Sequence, residues 1–190
     1  MKNIVIFGAP GSGKGTQSDK IIAEFGVEHI STGDVLRGEI KAGTELGKTA
    51  SAYINEGKLV PDALIVDMLA ATLDAKGKDI NGVIFDGFPR TIAQAEALDA
   101  MLKERGQEVS IVVGLEVEDE ELIKRIVARG KTSGRADDNE ETAKKRLDTY
   151  YSQTLPLKDF YVNQGKYAKI FGMGSIDDIY AEISKAIANA

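Results

Sequence analysis

The chain has no cysteine and a single histidine. Without cysteine there is no disulfide, no thiolate nucleophile and no Cys-ligated zinc site. One histidine also leaves out a His-rich metal site. No apolar run approaches the roughly 20 residues of a membrane span. Met1-Lys2-Asn3 leads straight into an apolar segment, so no signal peptide is expected. There is no internal repeat and no low-complexity segment. An excess of positive charge is missing too. The formal net charge of −6 argues against a nucleic acid polymer as the main partner, while a small anion held by local cations stays open. What remains is ordinary for a globular protein: 190 residues, 43% hydrophobic and 28% charged, most simply one domain with small insertions.

The chain is organised around Gly8-Ala9-Pro10-Gly11-Ser12-Gly13-Lys14-Gly15-Thr16. Before it, Ile4-Val5-Ile6-Phe7 is short, mostly β-branched and bounded by glycine, the pattern of a buried parallel strand. After it, Ile21, Ile22 and Phe25 recur on one side of a helix and Gly26 supplies a stop. Strand, glycine-rich loop, lysine and helix together form the setting of a phosphate-binding loop. The glycines let backbone N–H groups turn inward around an anion without Cβ clashes. The helix N-terminus adds partial positive charge and Lys14 a full one. A tight turn that merely needs glycine would not combine all of these. One departure matters: Gly15 intervenes between Lys14 and Thr16, where the general pattern has Ser or Thr, which puts a hydroxyl bound directly to Mg²⁺ in question.

Val27-Glu28-His29-Ile30 is a second strand candidate. His29 has no nucleophile or orienting acid near it in sequence and reads as a structural histidine. Ser31-Thr32-Gly33-Asp34 opens a helix through Leu36 and Ile40, with Asp34 as its cap. Thr32 and Arg37 then lie at a strand end and on the next helix's first turns, where open α/β sheets bind ligands. Each alone also fits a turn residue and a solvated one. Another helical pattern runs from Thr44 to Glu56. Lys58-Leu59-Val60-Pro61-Asp62 connects it to a helix with Ile65, Met68, Leu69 and Leu73 inward. The segment from about Ile30 to Val60 carries no strand and reads as a small helical subdomain over one sheet edge.

Gly82 to Gly87 is the next buried strand. Its terminal acid, Asp86, sits where a strand beside a P-loop places a carboxylate near the metal. Thr91 and Gln94 have capping-box spacing, which predicts that Gln94 bonds back to the Thr91 N–H. Ser110 to Val117 is a fourth strand. A helix then starts at Asp119, carries Arg125 and Arg129 on one face and stops at Gly130. Gly130 to Asp138 has two glycines and no hydrophobic anchor, so it reads as a mobile lid carrying Arg135. Asp138 and Glu141 form a capping pair for the next helix, which bears Arg146 and breaks at Pro156. Tyr167 to Phe171 is the fifth strand. Ser175 caps a last helix whose apolar side is Ile176, Ile179, Ile183 and Ile187. The alternation predicts a doubly wound α/β fold, a five-stranded parallel sheet with helices on both faces.

Of the seven arginines, all but Arg105 sit at loop ends, on turns flanking loops or in the lid. Arginine grips phosphate with a planar, bidentate fork. Phosphoryl transfer spreads charge over equatorial oxygens, so its catalysis is positioning plus cations. Simple hydrolysis needs one such cation; this many point to two phosphorylated ligands, a donor and an acceptor.

Four motifs carry a resemblance. They are the loop Gly8 to Thr16; Ser31-Thr32-Gly33-Asp34 through Arg37; Asp86-Gly87-Phe88-Pro89-Arg90-Thr91; and Ser133-Gly134-Arg135-Ala136-Asp137-Asp138 through Arg146. With these the chain resembles, from end to end, the short-lid adenylate kinases of the nucleoside monophosphate kinase family. Lys-Gly-Thr is that family's own pattern, in which Mg²⁺ is held mostly through water. The resemblance implies reversible transfer between ATP and AMP to give two ADP, with Mg²⁺, in the service of adenine nucleotide homeostasis. It implies a cytoplasmic monomer that binds neither nucleic acid nor membrane. The family's longer lids sometimes hold zinc; this one has neither the length nor the cysteines, so no structural zinc is expected.

Carried over by motif, Gly11, Ser12, Gly13, Lys14, Gly15 and Thr16 would cradle the ATP phosphates. Lys14 would neutralise the transferring group. Arg125 would lie against the ATP base, Arg129 on its phosphates, and Gly174 would meet the adenine through its backbone. Thr32, Arg37, Lys58, Leu59, Val60, Gly87, Phe88, Pro89, Arg90 and Gln94 would form the AMP site. Arg135 and Arg146 would reach phosphates between the ligands, and Asp86 would orient the Mg²⁺ waters. The implied organisation is a core of 1–30, 61–129 and 139–190, an AMP-binding subdomain at 31–60 and a short lid at 130–138. Two rivals remain. A UMP/CMP kinase on the same fold tends to have a smaller residue in place of Thr32. A non-catalytic P-loop protein would not need Arg37, Arg90, Arg135 and Arg146 together.

Overall fold

A computed structural model describes all of residues 1–190. The chain alternates strand and helix as the sequence predicts: β1 (Lys2–Gly8), α1 (Lys14–Phe25), β2 (Glu28–Ser31), α2 (Thr32–Ala42), α3 (Glu45–Asn55), α4 (Asp62–Lys76), β3 (Gly82–Asp86), α5 (Ile92–Glu104), β4 (Ile111–Glu116), α6 (Asp119–Ser133), α7 (Glu140–Thr149), α8 (Leu157–Asn163), β5 (Tyr167–Phe171) and α9 (Ile176–Ala188). The five strands form one sheet in the order β2-β3-β1-β4-β5, and every pairing is parallel. Parallel neighbours need crossovers, and the helices that make them cover both faces.

Strand β1 shows how the sequence produces this. Successive side chains of a strand point to opposite faces. Val5 and Phe7 enter the core with Phe85, Leu69, Leu98 and Tyr161, while Ile4 and Ile6 enter the other with Ile21, Ile84, Ile183 and Ile187. Both faces are buried, hence the unbroken apolar run. Each fully buried side chain of this size contributes roughly 1.5–3 kcal/mol. A third, smaller cluster of Ala9, Leu122 and Leu147 lies beneath the glycine-rich loop. No helix is long and apolar enough to cross a membrane.

The local endings differ from expectation in several places, each with a physical cause. Helix α2 is capped by Ser31, whose Oγ accepts from the Asp34 N–H, and not by Asp34. Helix α6 does not stop at Gly130 but runs one turn further, to Gly134 at φ 67°. Gly130 is a close-approach residue: a Cβ there would lie 2.1 Å from the Asp138 carbonyl oxygen. Segment 130–138, expected as a mobile lid, is therefore part helix, leaving only a short turn. The cap of α7 is Asn139, which accepts from the Thr142 N–H, so Asp138 is free for another role. The helix bearing Arg146 gives way already before Pro156, to a π turn at Tyr150–Thr154. Ile176 faces outward, 51% exposed, so the apolar side of α9 is Ile179, Ile183 and Ile187.

Candidate active site

The glycine-rich loop joins the C-terminal end of β1 to α1. Its last residue, Gly13, has φ 96° and caps α1 with no side-chain hydrogen bond. Lys14 bends back so that its Nζ donates to the carbonyls of Gly8 at 2.9 Å and Ala9 at 3.1 Å. Burial drives the Lys14 ammonium down to about 7; Asp86 opposes this, and Arg90, Arg146 and Arg129 add to it. Ser12 is buried and its Oγ has no protein partner. Gly15 and Thr16 lie exposed on the first turn of α1.

Asp86 ends β3, in register with Ile6 of β1 and Ser31 of β2. Its Oδ2 lies 3.4 Å from both Ser18 Oγ and His29 Nε2. Burial alone would raise this carboxyl, but the His29 hydrogen bond and the Lys14 charge hold it below the usual carboxylate range. The same bond raises His29. His29 thus does have an acid beside it; strand pairing supplies what sequence distance conceals. A lone carboxylate suits Mg²⁺, which keeps several waters and takes one or two carboxylates plus phosphates. No group of three or more His, Asp and Glu side chains converges anywhere to form an all-protein cation site.

Beyond Asp86, Gly87 forms a hub. Its φ is +78°, and a Cβ there would lie 2.9 Å from Arg90 Nη2 and 3.0 Å from Thr32 Oγ1. Its carbonyl accepts from Thr32 Oγ1 at 2.9 Å and from Arg90 Nε at 2.7 Å. No acidic side chain pairs with Arg90 within 4.0 Å. Burial, then the neighbouring Arg146 charge, brings its guanidinium down to about 10. Gln94 is buried on the first turn of α5. Its backbone N–H donates to the Thr91 hydroxyl as the spacing predicts. Its side chain goes elsewhere than expected, accepting from the Arg90 N–H at 2.8 Å.

These residues line one cleft at the C-terminal ends of β1, β2 and β3. Thr32 and Arg37 of α2, the connector Lys58-Leu59-Val60, Gly87 to Arg90 and Gln94 all border it. So do Lys14 and Arg146. Leu36, Ile54 and Ile65 add an apolar wall that the sequence reading did not assign. Lys58 directs its ammonium away to Glu56 at 2.5 Å. The helices of 31–60 reach over to α7, where Thr149 Oγ1 donates to the Gly57 carbonyl at 3.0 Å.

Of the remaining arginines only Arg146 borders this cleft. Arg129 is gripped bidentately by Asp138, at 2.7 and 2.6 Å, and Ser133 donates to the same carboxylate at 2.8 Å. Arg146 pairs with Asp137 at 3.2 Å and Asp138 at 3.4 Å. Arg135 has no ion-pair partner; burial and the Arg37 and Arg129 charges lower it. Arg125 lies apart from the cleft. It bonds Glu121 at 3.0 Å and spans to the Ser12 carbonyl at 3.5 Å and the Gly172 carbonyl at 3.1 Å. It thereby ties the glycine-rich loop to the turn that holds Gly174, which has open space around it. The clamps Asp137 and Asp138 were missed as site residues because Asp138 has the spacing of a helix cap.

The arrangement can hold two anionic ligands end to end, one on the loop and one in the cleft, with cations between. Comparison with known proteins agrees. The family description that matches residues 6–166 is adenylate kinase. Relatives named adenylate kinase include one from Phocaeicola vulgatus, 66% identical over 98% of this chain and 98% of its own. One from Parabacteroides distasonis is 65% identical over 100% of this chain and 99% of its own. One from Porphyromonas gingivalis is 54% identical over 98% of this chain and 96% of its own. With four motifs, the sheet order and these relatives in agreement along its length, the chain belongs to the adenylate kinase family.

Proposed function

We propose that the protein transfers the terminal phosphoryl group of ATP reversibly to AMP, giving two ADP. The observation that carries this reading is Arg90. A cation without an acidic partner, deep in a cleft that also holds Lys14 and Arg146, is a site prepared for phosphate.

In this reading the loop from Gly11 to Thr16 and Lys14 hold the ATP phosphates. Arg125 and the turn at Gly174 take the donor base. Thr32, the 58–60 connector and Gln94 take the acceptor adenine, while Arg37 and Arg90 take its phosphate. Arg129, Arg135 and Arg146 close on the transferring group, and their preset charges stabilise it with little rearrangement. Asp86 would hold Mg²⁺ through water; the ion would supply charge neutralisation on the phosphates. The subdomain at 31–60 and the lid at 130–138 close over the ligands to exclude water, which would otherwise compete with AMP. The same reading makes the protein a cytoplasmic monomer serving adenine nucleotide balance.

The test is a coupled assay with Mg-ATP and a panel of nucleoside monophosphates. AMP should be phosphorylated far faster than CMP or UMP. CMP or UMP as best acceptor would instead identify a pyrimidine kinase, and no transfer to any of them a binding protein.

A further inference from the structure

Asp62, the first residue of α4, makes contacts that the proposed roles leave unused. Its Oδ1 accepts from Gln94 Nε2 at 2.8 Å and from Thr91 Oγ1 at 3.0 Å. The Thr91 hydroxyl in turn accepts from the Gln94 backbone N–H, so its own hydrogen is committed to Asp62. On the other side, the Arg90 N–H donates to Gln94 Oε1.

These two partners differ in kind. A backbone N–H can only donate, and an ionised carboxylate can only accept. Turning the Gln94 amide over would set Nε2 against an N–H and Oε1 against a carboxylate, losing two hydrogen bonds at a buried position. The amide therefore has one orientation. Each end keeps unused capacity, one lone pair on Oε1 and one hydrogen on Nε2.

We propose that Asp62 is a positioning residue that sets the purine selectivity of the acceptor cleft by fixing the Gln94 amide. This rests on the reading that Gln94 meets the acceptor base. An amide so fixed matches an adenine edge, which has an acceptor at N1 and a donor at its 6-amino group. Hypoxanthine and guanine have the reverse, a donor at N1 and an acceptor at O6. They would need the amide turned over, so Asp62 acts against 6-oxopurines without touching them. Sites that commit buried polar groups in this way discriminate far more strongly than apolar pockets do.

The experiment measures kcat/KM for AMP and for inosine monophosphate in the unsubstituted protein, Asp62→Ala, Asp62→Asn and Gln94→Leu. Asp62→Ala should lower the AMP/IMP ratio by about tenfold or more. Asp62→Asn, whose carbonyl can accept the same two bonds, should restore most of it. A purely structural role for Asp62 would lower both substrates equally, and an unchanged ratio in Asp62→Ala beside a collapsed ratio in Gln94→Leu overturns the proposal alone. An unchanged ratio in Gln94→Leu overturns the reading that Gln94 meets the base. Should Asp62→Ala fail to fold, NMR of the unsubstituted, nucleotide-free protein decides. One slowly exchanging set of Gln94 side-chain amide signals supports the proposal; two interconverting sets contradict it.

Discussion

Arg90 and Arg129 both lie close enough to Lys14 to lower it, yet their circumstances are opposite. The Arg90 guanidinium, in the cleft proposed for the acceptor, bonds only the neutral Gly87 carbonyl. Arg129, on the lid side, is held by both oxygens of Asp138. Their neighbours divide less cleanly. Arg37 pairs with Asp34 at 2.5 Å, and Arg125 and Arg146 pair with Glu121, Asp137 and Asp138. Among the arginines of the cleft, the deficit of negative charge is thus confined to Arg90. Arg129 and Arg146, by contrast, are already oriented by carboxylates, while Arg135 is not. Arg90 calls for an anion to complete it; Arg129 and Arg146 are kept in place without one.

Removing the uncompensated charge should have the largest effect. Arg90→Ala should lose about a thousandfold or more in transfer rate, with thermal melting little changed or raised, because the guanidinium has no acid to pair with and only one side-chain hydrogen bond, to a neutral carbonyl. A coupled assay beside a melting curve reads both, and an undiminished rate removes Arg90 from the mechanism. Next comes the opposite pairing. Asp138→Ala strands Arg129 and should lower folding stability by about 2 kcal/mol, read by urea unfolding. If it costs nothing, Asp138 is not what holds Arg129.

A smaller effect is expected at Gly15. A Cβ there meets nothing within 4 Å. Gly15→Ala should therefore change stability by no more than about 1 kcal/mol, while the rate with Mg-ATP falls several-fold as the methyl meets the incoming phosphates. Equal losses in both would mean the residue serves the fold. The smallest signal is a proton. Lys14 stands at about 7 in the free protein against 10.5 for an ordinary lysine. A phosphate beside it favours the charged form, so nucleotide binding at pH 8 should take up a fraction of one proton, seen by calorimetry in buffers of different ionisation enthalpy. The sign for stability agrees. The unfolded chain holds more protons than the folded one between about 7 and 10.5, so the nucleotide-free protein gains stability as pH rises through that window.

Much of this was legible in the sequence because the signals were local. The run Ile4 to Phe7 and the loop to Thr16 gave the central strand and the anion site; capping signals at Thr91 and Ser175 held. What stayed hidden depended on pairing between distant segments. His29 meets Asp86 only because β2 lies beside β3, and Asp62 meets Gln94 only because α4 starts beside α5. Gly130 has the look of a helix stop, but its neighbour Asp138, eight residues on, is what requires a glycine. Asp138 itself has cap spacing, and only the fold shows it turned toward Arg129 and Arg146.

The central claim is that the acceptor cleft separates a neutral base-reading part from an uncompensated cation for phosphate. Calorimetric affinities of adenosine and AMP, in the unsubstituted protein and in Arg90→Ala, test it directly. AMP should bind at least about tenfold more tightly than adenosine. Arg90→Ala should erase most of that advantage while leaving adenosine unchanged, since the backbone N–H of residue 90 still holds Gln94. A substitution that weakens adenosine and AMP by the same factor would contradict the account.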